Sequence, residues 1–256
     1  MRVLCVGDVV GTAGCEHLRR VLPQVKRHYN VDVCIVNGEN AADGNGITPS
    51  ALQAIGDSGA DVVTGGNHTF RRREIYDLLD QKPFVLRPAN YPDSAPGRGI
   101  CVVDRGRYQL TVINLIGVVY MQPLASPFDT LDSLLKEAGS PRCCVVDFHA
   151  EATAEKKALA FYADGRISAL IGTHTHVQTA DEQIFPQGTG YLTDVGMTGP
   201  IHSVLGVCPE QSIALMKDKL PVRFTTAPGA CAMDAVLLNI DERTGKTTDI
   251  ERLTIS

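Results

Sequence analysis

Five short polar clusters each close an apolar run: Gly7-Asp8, Gly38-Glu39-Asn40, Gly66-Asn67-His68, Asp147-Phe148-His149 and Gly172-Thr173-His174-Thr175-His176. Carboxylate, carboxamide and imidazole recur at the ends of what read as strands. That is the donor inventory of a two-metal hydrolytic centre. His174 and His176 are one residue apart. In an extended chain, residues i and i+2 point to the same side, so the two rings are expected to converge on one locus or on two neighbouring ions. Any single Asp or Asn at a strand end is ordinary turn chemistry. Four strand-end sites and a His-x-His together are not. A mixed N/O set without thiolate suits manganese, iron or zinc. It argues against a structural zinc, which favours cysteine.

The elements that must position these groups read as alternating strands and helices. Arg2–Gly7, Val33–Asn37 and Asp61–Thr64 are apolar runs of the kind buried on both faces of a parallel sheet. Between them, helices are predicted over Glu16–His28, from the spacing of Leu18, Val21, Leu22 and Val25, and over Pro49–Ser58, with Thr48 as N-cap and Pro49 at the first helical position. A third helix is predicted over Glu74–Asp80. Gly99–Asp104 and Tyr108–Leu115 flank a short turn and read as a hairpin, as do Ala230–Ile240 and Lys246–Thr254. Helices over Asp129–Ala138 and Ala154–Ala163, and strands over Cys143–Phe148 and Ala169–Gly172, complete the pattern. A two-sheet sandwich with helices outside accommodates both the parallel units and the hairpins. Residues 1–256 are expected to form a single domain, with Pro88–Gly99 as a loop and not a linker.

Bulk properties bound the setting. Hydrophobic residues make up 44% and charged residues 21%, as in ordinary globular proteins. No apolar stretch is long enough to span a membrane, and the first apolar run is too short for a secretory signal, so a cytoplasmic location is expected. Of the eight cysteines, Cys5, Cys34, Cys101, Cys143 and Cys144 lie in apolar runs and are expected to be reduced packing residues. The net charge of −5 argues against broad nucleic-acid binding. Arg71-Arg72-Arg73 reads as a solvated helix start, with a local phosphate contact beside Asn67-His68 as the alternative. His17, His28 and His202 are expected on helix surfaces or in solvent.

The order Asp, Glu, Asn-His, His, His-x-His resembles the calcineurin-like metallophosphoesterases. Two departures stand out: Val10 occupies the place of a histidine in the first motif, and Gly38-Glu39-Asn40 replaces an aspartate block. Both departures, and the segments GDVVG, VNGENAADGNGIT, GGNHTF, VDFHAEATAEK, GTHTHVQTADE and YLTDVGMTGP, are similar to the narrower YmdB-type phosphodiesterases. The resemblance implies a four-layer α/β/β/α sandwich with a dinuclear centre. Asp8, Glu39 and His176 would hold one ion. Glu39, Asn67, His149 and His174 would hold the other, so Glu39 bridges. Iron is the favoured metal and manganese the next. Asn40 and His68 would face the substrate phosphate, with His68 the candidate catalytic general acid, since histidine is the side chain that ordinarily exchanges protons near neutrality.

The implied substrates are cyclic nucleotides, 2′,3′-cyclic monophosphates foremost, and the implied assembly is a homo-oligomer. Two ions about 3.5–4 Å apart would activate a bridging water as the nucleophile. Two divalent cations against Asp8, Glu39 and one hydroxide leave a small positive charge, suited to a monoanionic diester. A phosphomonoesterase or nucleotidase on the same centre is the competing enzyme, and a nucleotide- or RNA-binding regulator of low turnover is the competing binder. Weaker expectations attach to Asp147 as an acceptor behind a ligand imidazole and to Glu151 as a helix-terminus charge. Thr179, Asp181 and Thr198 are expected to shape the pocket.

Overall fold

The computed structural model describes residues 1–256. Strands β1 (Arg2–Val6), β2 (Asp8–Val9), β3 (Val33–Asn37) and β4 (Val62–Thr64) are interleaved with helices α1 (Gly11–His28), α2 (Pro49–Asp57) and α3 (Tyr76–Gln81). The hairpin β5 (Ile100–Asp104) and β6 (Gln109–Ile116) follows, then α4 (Pro127–Glu137), β7 (Cys144–His149), α5 (Thr153–Ala163) and β8 (Ala169–Thr173). The chain ends with β9 (Gln183–Ile184), β10 (Gly190–Leu192), β11 (Met197–Pro200), α6 (Pro209–Asp218) and the hairpin β12 (Cys231–Ile240) and β13 (Thr247–Ile255).

Two sheets result. One runs β2-β11-β12-β1-β3-β4 with β13 on β12, and the other runs β5-β6-β7-β8-β10-β9. Side-chain alternation then sorts each buried strand between two layers. Leu4, Val6, Cys34 and Val36 face outward onto Leu18, Leu22, Leu52 and Ile55 of α1 and α2. Their alternates Val3, Cys5, Val33 and Ile35 face inward onto Leu110, Val112, Val145 and Ile171 of the second sheet. The outer face of that sheet, through Val146, Phe148 and Leu170, packs on Leu131 of α4 and Leu159 and Ala160 of α5. The architecture is an α/β/β/α sandwich. Each fully buried Val, Leu, Ile or Phe contributes roughly 1.5–3 kcal/mol, so the inter-sheet layer holds the two sheets in one register. That register brings strand ends from both sheets to one place.

Most predicted elements form within two residues of their expected limits, and Thr48 does cap α2, its Oγ1 accepting from Ala51 N at 3.2 Å. Helix α1 differs: it starts at Gly11, five residues before the predicted Glu16. Gly11 and Gly14 depress helix propensity. A Cβ on Gly14 would collide with the Thr198 carbonyl, however, so glycine lets the first turn lie directly on β11. The segment predicted as a helix over Glu74–Asp80 is a 3₁₀ turn, Arg73–Ile75, running into α3. Strands β2, β9, β10 and β11 and helix α6 were not expected. The strands are two to four residues long, and α6 buries only Ser212, so it has no apolar stripe to signal it.

His17 also departs from expectation. It is buried, not on a surface; Nε2–H donates to Ile255 O at 3.1 Å and Nδ1 accepts from Arg20 at 2.8 Å. His28 and His202 are exposed as expected. No helix is long and apolar enough to cross a membrane.

Candidate metal centre

Every candidate ligand lies at or just past a strand's carboxyl end, where open α/β sheets gather ligands. Asp8 follows β1 and opens β2, Glu39 follows β3, Asn67 follows β4, His149 ends β7, and His174 and His176 follow β8. His149 is the hub. Its Nε2 lies 2.9 Å from Asn67 Oδ1, 3.0 Å from His174 Nδ1 and 3.4 Å from Glu39 Oε2. Glu39, His149 and His174 together offer donor atoms that all lie within 4.8 Å of one another.

The protons point away from that hub. His149 Nδ1 bonds Thr173 Oγ1 at 2.9 Å, and Thr173 Oγ1–H donates to Asp147 Oδ1 at 2.8 Å. Burial pushes His149 down to about 3, so its ring is neutral and Nε2 presents a lone pair. His174 Nε2 lies 3.0 Å from Glu151 Oε2, which places its proton there and leaves Nδ1 bare. Two imidazole lone pairs, a carboxamide oxygen and a carboxylate oxygen thus face one another with no proton between them. A bound metal cation satisfies all four donors at once.

The rest of the cluster makes the same demand. Asp8 is fully buried; Oδ2 accepts from His174 N at 3.1 Å, and Oδ1 has no hydrogen-bond partner, with His149 Nδ1 3.8 Å away. Burial first, then repulsion from Glu39 and Asp194, pushes its carboxyl well above the usual range. Burial pushes Glu39 the same way, but its close approach to the His149 imidazole and the bonds from His68 outweigh it and hold Glu39 down at about 2. Those bonds run from His68 N to Oε2 at 2.8 Å and from His68 Nδ1 to Oε1 at 3.0 Å. Gly66 closes the cradle: a Cβ there would strike Glu39 Oε2 and His149 Nε2 together. The residues present therefore fit a bound divalent metal.

His176 converges by a different route from the expected strand alternation. Strand β8 stops at Thr173, and His174 and His176 take φ of +104° and +62°, the left-handed region that most side chains avoid. A tight turn, not a pleat, aims the two rings. His176 Nδ1 bonds Leu205 O at 3.0 Å, and its Nε2 lies 3.2 Å from Asn40 Nδ2, which is 2.7 Å from Glu39 Oε1. Burial lowers His176 below its ordinary pKa.

Several supporting groups escaped the sequence reading. Lys156 is fully buried beneath the His-x-His turn, donating to Thr173 O and Asp194 Oδ2, each at 2.8 Å. Asp194 Oδ2 also accepts from Thr175 N at 3.0 Å, so the pair clamps both sides of His174. A lysine on a helix reads as solvated, and nothing local marks it otherwise. Asn37 and Thr64, polar residues ending apolar strands, bond Asp147 from the opposite sheet. Asp147 acts on His149 only through Thr173. Glu151 meets His174 and not the α5 terminus. Thr179 and Asp181 bond each other and Asp194 or Thr193 behind the turn, and Thr198 is buried. None of these three lines the cleft above the centre, which has a volume of about 890 Å³. Val10 packs against Gly199 and Gly206, away from that cleft.

A cleft floored by strand ends from two sheets, inside an α/β/β/α sandwich, defines the calcineurin-like metallophosphoesterase fold. NAD nucleotidase of Haemophilus influenzae shares the fold at 12% identity, with a TM-score of 0.61 over 99% of this chain and 55% of that one. The family described as YmdB-like protein matches residues 4–253, and the chain belongs to it. A 2′,3′-cyclic-nucleotide 2′-phosphodiesterase of Bacillus subtilis strain 168 is 48% identical over 257 residues, spanning all of this chain and 97% of that protein. A hypothetical protein of Thermus thermophilus superposes with a TM-score of 0.94 at 40% identity, covering 99% and 98% of the two chains.

Proposed function

We propose that this chain is a metal-dependent phosphodiesterase that opens cyclic nucleotides, 2′,3′-cyclic monophosphates foremost. The observation that carries the reading is the convergence of Asn67, His174 and Glu39 donor atoms on His149 Nε2, set in a chain nearly half identical to an enzyme named for that reaction. Asp8, Glu39 and His176 would hold one ion and Glu39, Asn67, His149 and His174 a second, with iron favoured and manganese next. When bound, two such ions supply Lewis-acid charge to the phosphoryl oxygens and an activated water. The remaining chemistry belongs to the chain. Asn40 lines the cleft and would donate to a phosphoryl oxygen as negative charge grows there.

His68 is the proposed general acid. Glu39 Oε1 accepts from its Nδ1, which fixes the ring. That leaves Nε2, which accepts from the Asn45 and Asn67 Nδ2 amides at 3.3 and 3.2 Å, as the atom that must take up a proton in place of those bonds and pass it to the departing ribose oxygen. The same reading takes residues 1–256 as one catalytic domain. It places the chain in the cytoplasm, where eight free thiols stay reduced. A homo-oligomer is the proposed assembly, and exposed Ile213 and Leu220 offer apolar surface for a second copy.

Two substitutions test the division of labour. His68→Ala should keep its metal and lose turnover of a 2′,3′-cyclic nucleotide by about 100-fold or more. Asn67→Ala should lose metal at one site. Full activity in His68→Ala refutes the acid role.

A further inference from the structure

Two arginines in the cleft lack a partner. Arg105, Arg107, Arg166 and Arg252 form the arginine ion pairs of this chain, and Arg72 is spent on the carbonyls of Asp43 and Asn45. Arg71, just past His68, and Arg223, on the segment after α6, line the same cleft as His68 and His174 with their guanidinium groups free. The cleft's acidic side chains are already committed: Glu39 to His68, Asp43 to Thr12, and Glu151 to His174. Beside Arg223, Phe224 holds an aromatic ring 41% exposed at the cleft wall, with Met216 next to it in the lining. A free guanidinium beside an exposed aromatic ring is the usual platform for an unstacked base and its phosphate.

The reacting group does not need these cations. A cyclic phosphodiester carries one negative charge, and the proposed metal centre neutralises it. The cleft volume of about 890 Å³ lies near the top of the range, about 300–1,000 Å³, that encloses a drug-sized ligand. Space, cationic charge and a stacking surface therefore remain after one cyclic mononucleotide is seated.

We propose that the cleft takes the 3′ end of an oligoribonucleotide carrying a terminal 2′,3′-cyclic phosphate. This rests on the phosphodiesterase reading and extends it to a second nucleotide. The cyclic phosphate sits over the metal centre, the preceding phosphodiester meets Arg223 and Arg71, and the preceding base stacks on Phe224. Water adds to phosphorus, the P–O2′ bond breaks, and O2′ takes a proton. The chain end leaves as a 3′-monophosphate without any co-reactant. Recognition of an end, and not of a duplex or long strand, agrees with the net charge of −5.

The test compares a diadenylate ending in a 2′,3′-cyclic phosphate with 2′,3′-cyclic AMP on metal-loaded protein. Wild type should show kcat/KM at least about 10-fold higher for the dinucleotide, as expected of one added stacked base. Its logarithm should also fall more steeply with log salt, by about 0.7 for one extra phosphate contact. The double substitution Arg223→Ala/Phe224→Ala, at exposed positions outside the catalytic groups, should erase both differences and change the mononucleotide rate less than about 3-fold. Equal rates on the two substrates overturn the proposal, as does a preference that survives the double substitution. A wild type that opens the mononucleotide but not the dinucleotide overturns this proposal alone. One that opens neither overturns the phosphodiesterase reading as well. If the double variant instead loses p-nitrophenyl phosphate hydrolysis, Arg223 serves a dianionic monoester and the proposal fails.

Discussion

Replacing Lys156 by methionine isolates the clamp beneath the His-x-His turn. Methionine keeps most of the side-chain stem, which packs against the Gly172 backbone, and removes only the ammonium group. Asp194 is then left fully buried with backbone N–H donors from Thr175 and Gly196 as its partners, and its charge lies close enough to Asp8, Asp147 and Asp234 to raise the pKa of each. Breaking a buried pair from one side costs about 3–5 kcal/mol. In a chain of this size each kcal/mol lowers Tm by about 2–4 °C, so the drop is on the order of 10 °C. Differential scanning calorimetry on Lys156→Met, Asp194→Asn and the double variant measures it. The double variant should be less destabilised than the sum of the singles by at least about 1 kcal/mol, because the two residues share one interaction. A Lys156→Met protein melting within about 2 °C of wild type, or strictly additive singles, would show that the clamp does not hold the turn.

Thr173→Val removes both the acceptor for His149 Nδ1 and the donor to Asp147 while keeping the shape of the side chain. Metal affinity should weaken about 10–100-fold, as when a group orienting a ligand imidazole is lost, and chelator competition giving an unchanged affinity would refute it. His17 supplies a pH prediction. Burial lowers its pKa below the ordinary value, so the unfolded chain takes up a proton near pH 6.5 while the native chain does not. The unfolded state then binds more protons, and stability falls as pH drops below about 6.5. Urea titrations of His17→Gln should show a shallower loss from about pH 6.5 to 5.5 than wild type, and equal slopes would contradict the assignment.

The parallel strands and the two hairpins were legible because burial on both faces and turn chemistry leave local marks. The ligand clusters were legible because each closes a strand. What escaped depends on distant contacts. Gly11 and Gly14 look unhelical until β11 lies against them. Lys156 looks solvated until Asp194 arrives from 38 residues away. The His-x-His pair was expected to converge through the pleat, but positive φ at both histidines aims them, and no spacing rule encodes that turn. The serial arrangement Asp147–Thr173–His149 shows the same limit. The sequence placed Asp147 behind an imidazole, but the hydroxyl between them comes from the neighbouring strand β8.

The central claim is that the His149 hub and its neighbours hold metal for the opening of a cyclic diester. Metal-free protein should be reloaded with iron or manganese, its metal content counted, and its reaction with 2′,3′-cyclic AMP followed by phosphorus NMR. Two ions per chain and metal-dependent appearance of the 3′-monophosphate are predicted. Fully loaded protein that leaves the cyclic phosphate intact would contradict the account.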